Sequence, residues 1–330
     1  LVWEASTENS YPAEGRSVAV ALLGINFQSA TFYGRDSSGG AWTSLASISG
    51  VWLGASAFTR NGTTLRITGG TPGRYVAHGA LTGFYVDLGS GDVRRIAGNT
   101  EGVVGAMTGT TVRALLRLEG LDGSEAASGN CTLFAPSVVA VVPEPANRYY
   151  QWKLVIAPAT TAEGYISLGK VLVGSLYWLA RSPSAGRTVE IAPQIEVAQQ
   201  PGGLTRVRRI GPPLRQVRLP FDDLLPSSQI WQGSPSPDYQ IIATGGSAYA
   251  ARHAAAESLA GLVAELQGNP VVYMDRVKKA SSATTAANYT DPGRFVYGRF
   301  PDPLTLTVSR GDEGSNAVYT SGGLLLTEIP

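Results

Sequence analysis

Cysteine, methionine and histidine are nearly missing from this chain of 330 residues, which has one, two and two of them. The single thiol, Cys131, excludes an internal disulfide framework and any metal site built from cysteines. The two histidines, His78 and His253, stand far apart and in no paired-ligand spacing, so no metal site is expected. His253 falls in an alanine-rich segment and His78 at a strand–turn junction (YVAHGAL). A packing role outweighs a catalytic one for both. Charge is also scarce. Charged residues make up 15% and the net charge is +1, which argues against nucleic acid or an acidic membrane surface as partner. The longest apolar runs, around Val18 to Ile25 and Ser137 to Val142, are far too short to span a bilayer. No secretory signal pattern is present.

What the chain does have is glycine (40 residues) and proline (20), the punctuation of many short strands. The organising stretch is Tyr149 to Gly174, YYQWKLVIAPATTAEGYISLGKVLVG. Tyr150, Trp152, Leu154 and Ile156 alternate with Tyr149, Gln151 and Lys153, so a strand with one dry face is expected. Ala157 to Gly164 has the size and composition of a hairpin connection, after which Tyr165 to Val173 restarts. Gly169 within it signals a bend, a bulge or a close neighbour. Val18 to Phe27 reads as a strand covered on both faces. Asn61-Gly62, between TR and TTLRI, is the strongest hairpin signal.

Strand-like segments recur every eight to twelve residues, which describes a β-sandwich or jelly roll. Leu1 to Arg16 reads as irregular, Gly98 to Gly109 as a glycine-rich loop, and Ala280 to Asp291 as a loop. The arginine-rich run from Arg206 to Arg218 reads as a solvated or interface-facing segment. One helix is expected, about 247–267. Its Leu259, Leu262, Val263 and Leu266 keep helical spacing, Ser247 is its N-cap, and Gly268 and Pro270 stop it.

No catalytic set emerges, and the chain reads as a non-enzyme. There is no G-x-S-x-G elbow, and Gly98 to Gly109 lacks the lysine of a phosphate loop. The carboxylates Asp222-Asp223, Glu190-Glu196 and Asp312-Glu313 are nominated for a glycosidase pair only by nearness in sequence. No cofactor is expected. Trp42, Trp52 and Trp231 stand beside turn residues, which makes them the candidates for contact with a sugar or a partner.

VAVALLGINFQSATFYGRDSSG (Val18 to Gly39) resembles the opening of discoidin-like, galactose-binding-type sandwiches of phage proteins. RYYQWKLVIAPATTAEGYISLGKVLVGSLYW (Arg148 to Trp178) is similar to the later half of that module. GNPVVYMDRV, RFVYGRF and YTSGGLLLTEIP resemble the closing segment of tail-tip and distal-tail proteins of long-tailed phages. The resemblance implies a mostly-β chain: a discoidin-like sandwich over 1–180, then a β-rich assembly region over 181–330 carrying the helix. It implies a virion structural protein of a tail tip or baseplate, serving tail assembly and host attachment. Its partners would be copies of itself in a ring, other tail proteins and a host-surface glycan. A carbohydrate-binding lectin is the alternative, and a β-sandwich glycosidase the third reading.

Overall fold

Regular structure among the described residues is entirely β. The computed structural model describes residues 1–11, 17–36, 39–70, 73–106, 112–121, 125–142, 148–157, 160–178, 188–192, 194–199, 205–209, 214–224, 239–243, 269–275, 287–290, 295–300, 306–310 and 318–329. The helix expected over 247–267 lies outside these residues. In chain order the strands begin with β1 (Val2–Tyr11), β2 (Val18–Ile25), β3 (Ser29–Arg35) and β4 (Thr43–Ser49). Shorter ones follow: β5 (Val51–Asn61), β6 (Thr64–Ile67), β7 (Arg74–Val76), β8 (Tyr85–Asp87), β9 (Val93–Asn99), β10 (Gly102–Val104), β11 (Leu115–Leu118) and β12 (Ser128–Phe134). Then come β13 (Ser137–Val142), β14 (Tyr149–Ile156) and β15 (Leu168–Trp178).

Two compact units result, and a single cut near residue 180 does not separate them. The first comprises Leu1–Ser10, Ala19–Leu172 and Ala283–Pro292; the second comprises Tyr11–Val18, Val173–Ser282 and Gly293–Pro330.

In the first unit β1, β14, β3 and β4 form one sheet in that order. Trp152, Leu154 and Ile156 are buried while Gln151, Lys153 and Val155 are partly exposed, as a period of two requires. Phe32 stacks on Trp152 with ring centroids 5.3 Å apart. The tyrosines depart from the expected alternation: Tyr149 is buried and Tyr150 is the partly exposed one. The reason is Gly34, which leaves a hole in the inner face of β3. A Cβ there would come within 2.6 Å of Cγ of Tyr149, so the tyrosine ring fills the space a side chain would have taken. β2 and β13 are buried nearly throughout, which fits strands covered on both faces.

The Ala157 to Gly164 connection does not close a hairpin, because β14 and β15 belong to different sheets. The close neighbour signalled at Gly169 is real: a Cβ there would lie 2.9 Å from the Leu23 carbonyl oxygen. The segment read as irregular, Leu1 to Arg16, contains β1. The expected loop at Ala280 to Asp291 contains β22 (Ala287–Tyr289), which pairs with β13.

Between β4 and β13 the chain makes a closed barrel in the order β11, β6, β5, β12, β8, β9. The sequence pattern suggests one continuous sandwich and gives no sign of this separate core. Phe58, Leu65, Phe84, Ile96, Leu116 and Leu133 are buried at its centre, and side chains fill it as they do in small barrels. The Asn61-Gly62 signal is correct: Asn61 faces Thr64 as the last pair of the β5–β6 hairpin, and Gly62 has φ +58°. The stretch from Gly98 to Gly109 holds the end of β9 and all of β10. At Gly102 a Cβ would sit 2.8 Å from Ala114 N and the Val112 carbonyl oxygen, so glycine marks a backbone crossing there.

The second unit contains β16 (Thr188–Ala192), β17 (Ile195–Gln199), β18 (Thr205–Arg209), β19 (Leu214–Leu224), β20 (Tyr239–Ala243), β21 (Val271–Asp275), β23 (Phe295–Arg299), β24 (Leu306–Arg310) and β25 (Val318–Glu328). Its main sheet runs β16, β19, β25, β23, β21, β20 and then the later half of β15, with β24 also on β25. Val217, Leu219, Phe221, Val271, Val272, Leu324 and Leu326 are among its buried residues. Within the arginine-rich run, Arg206 to Arg209 belong to β18 and Leu214 to Arg218 to β19.

Candidate interaction surfaces

Beyond Ala192 and Leu214 the edge of the second unit's sheet continues as a ribbon. β16 pairs with β19 as far as Ala192 opposite Leu214, and β17 pairs with β18 from Ile195 opposite Arg209 to Gln199 opposite Thr205. Only Pro193 and Gln194 separate β16 from β17, and Pro193 cannot donate to a ladder. Among the described strands, β17 and β18 pair with each other alone. In this arm Val197 faces Val207, and the two are 55% and 61% exposed. Glu196 faces Arg208, and both are exposed. A two-stranded ribbon with solvated apolar side chains is marginal in water by itself.

The three tryptophan candidates separate. Trp52 lies in the barrel core, 5% exposed, edge-on to Phe84 at 5.8 Å and with Arg74 5.0 Å from its ring. Its side chain offers no open platform. Val51 begins β5, and the next position points inward. Trp231 lies outside the described residues. Trp42 is partly exposed and lies against the four-stranded sheet, with Arg35 Cζ 4.4 Å and Lys153 Nζ 4.5 Å from its ring.

A polar network absent from the sequence reading joins the barrel to the sheet strands within the first unit. Asn26 is fully buried just after β2. Its Nδ2 donates to Glu163 Oε2 (2.8 Å) and to the Tyr165 carbonyl (2.7 Å), and its Oδ1 accepts from Ser167 N–H (2.7 Å). Every hydrogen-bonding direction that matters to a buried amide is thereby used. Glu163 Oε1 accepts from the Tyr85 hydroxyl of β8 at 3.0 Å, and Gln28 Nε2 donates to Asp87 Oδ2 at 2.7 Å. Burial pushes the Tyr85 hydroxyl up to about 12, and the Glu163 carboxylate adds to the shift. Burial also raises the Cys131 thiol to about 12, with a smaller push from Asp87. A thiol so held is a poor nucleophile. The one available sequence signal was an Asn directly after an apolar strand.

Among the described residues no group of three or more His, Cys, Asp or Glu is placed to hold a metal ion. No helix among them is long and apolar enough to cross a membrane. Of the carboxylates nominated for hydrolysis, Glu190 and Glu196 are exposed on different strands, β16 and β17. No family model, no curated protein and no solved structure matches the chain.

Proposed function

We propose that this chain is a structural subunit that assembles with copies of itself, in the manner of tail-tip or baseplate components of a tailed phage. The observation that carries the assembly reading is the arm, where Val197 and Val207 sit side by side, exposed, on a ribbon with no other strand paired to it among the described residues. Covering the exposed halves of two valines is worth about 2 kcal/mol, or roughly 30-fold in a dissociation constant. Arg208 and Glu196 on the arm add charges that can fix register with a partner. The placement in a virion tail rests on the resemblance of Val18 to Gly39, Arg148 to Trp178 and the closing segment. So do the further partners, other tail proteins and a host-surface glycan.

The test is the native mass of the full chain at micromolar concentration. A multimer that falls apart in the Val197→Asp/Val207→Asp double variant, with an unchanged β spectrum, supports the proposal. A sharply melting monomer at tens of micromolar overturns it.

A further inference from the structure

The outer face of the β14–β3 pair gathers unlike chemistry in a small area. Register puts Lys153 opposite Tyr33 and Gln151 opposite Arg35, and all four side chains are partly exposed on the face opposite Phe32 and Trp152. After the turn that follows β3, Trp42 returns onto this face. Arg35 and Lys153 both lie within 4.5 Å of its ring centroid, and Lys153 Nζ is also 4.9 Å from the Tyr33 ring. Arg35 Nε donates to Gln151 Oε1 at 2.5 Å, which fixes the guanidinium plane and leaves the Gln151 amide N–H groups available as donors.

Two like charges held against one indole repel each other, and the ring quadrupole offsets only part of that cost. Neither cation has a carboxylate partner among the described residues. The hydrogen bonds between Leu1 and Ile156 run both ways, so β1 is antiparallel to β14. Continued without a bulge, that register brings exposed Glu4 across from Lys153, yet no ion pair forms between them. The patch therefore combines a flat apolar ring, a fixed guanidinium, an ammonium and an amide donor, with positive charge in excess.

We propose that this face binds an acidic saccharide, a pyranose bearing a carboxylate. The apolar C–H face of the sugar lies on Trp42, the carboxylate meets Arg35 and Lys153, and a ring hydroxyl accepts from the Gln151 amide. A neutral sugar would use the ring but leave both cations unmatched. A simple anion would use the cations but forgo the ring. The site does not rest on the assembly reading, since it lies in the first unit and the arm lies in the second.

The probe is trigalacturonic acid, titrated into the full chain by calorimetry, with its methyl ester and free acetate as comparators. Saturable binding of the acid, at least about 10-fold tighter than the ester and absent for acetate, is expected at low salt. Trp42→Ala weakens it at least about 10-fold while Trp42→Phe retains most of it. Arg35→Gln/Lys153→Gln brings acid and ester to about equal affinity. Melting temperature and native mass, measured on each variant, are expected to match the parent chain. No saturable binding of the acid, equal binding of the ester by the parent chain, or full affinity in Trp42→Ala overturns the proposal. Acetate binding as tight as the trisaccharide overturns it as well, leaving an anion patch with no sugar platform.

Discussion

Asn26 and Glu163 stand 137 residues apart and meet through an Nδ2–Oε2 hydrogen bond of 2.8 Å. The pairing lets one buried amide hold the segment Thr161 to Ser167 by three bonds at once, to a carboxylate, a carbonyl and an N–H. The far oxygen of the same carboxylate accepts from Tyr85, so a barrel strand is tied in through a single glutamate.

Asn26→Ala is expected to destabilise the first unit by about 2–4 kcal/mol, because it leaves buried partners unmatched. The readout is Cys131, the only thiol of the chain and 3% exposed. Its labelling by a thiol reagent in a denaturant series reports opening of this unit directly. Labelling midpoints that coincide for the variant and the parent chain would refute the role given to Asn26.

Alkaline pH should weaken the same unit. Folding raises Tyr85 from its ordinary 10.0 to about 12 and Cys131 from 9.0 to about 12. In both cases the folded state holds the proton more tightly than the unfolded chain does. Their contribution is fully present below pH 9 and is lost as pH climbs from 9 toward 12. Each group adds at most about 1.4 kcal/mol per pH unit to that slope. Cys131→Ala should flatten the decline that begins near pH 9, and Tyr85→Phe the one that begins near 10. Parallel stability curves for all three chains would be the contrary result.

Gly34→Val should cost about 2–3 kcal/mol or more, since its Cβ would meet Tyr149 Cγ at 2.6 Å and Leu45 Cδ1 at 2.9 Å. Tyr149→Ala on its own is also destabilising, because it opens a hole beside Trp152. Combined, the two changes should be less harmful than their sum by at least about 1 kcal/mol. Simple additivity in a double-mutant cycle would show that the ring and the glycine do not share one space.

In the second unit Arg215 and Glu328 join β19 to the last strand. The Arg215 N–H donates to Oε2 at 2.8 Å, and Nε to Oε1 at 2.9 Å. The two side chains are 32% and 19% exposed, so solvent screens the pair only in part. Arg215→Lys keeps the charge but loses the fork geometry. It should cost about 1 kcal/mol, and Glu328→Ala about 1–3 kcal/mol. Equal melting of Arg215→Lys and the parent chain would assign the stabilisation to charge alone.

Local pattern carried much of the secondary structure. The period of two from Gln151 to Ile156 and the Asn61-Gly62 turn are contacts a chain makes with its near neighbours, and both read correctly. What failed was long range. Tyr149 is buried because of Gly34, and β10 exists because Gly102 to Val104 pairs antiparallel with β7 at Val76 to Arg74. Neither partner is visible from the segment itself. The barrel was missed for a related reason: its alternating strands look the same in sequence whether they add to a sandwich or close on themselves. Among the tryptophans, adjacency to a turn goes with partial exposure at Trp42 and misled at Trp52, where strand parity decides the direction of the side chain.

The strand β22 has a bearing on how the protein is made. β13 is translated early, but Ala287 to Tyr289, which cover its edge at Val139 to Val141, emerge only after most of the second unit. At cellular elongation speeds that is a wait of roughly 7–30 s with a valine-rich edge unprotected. A nascent chain stalled before residue 287 should therefore be a better client for a holdase chaperone than one released after it.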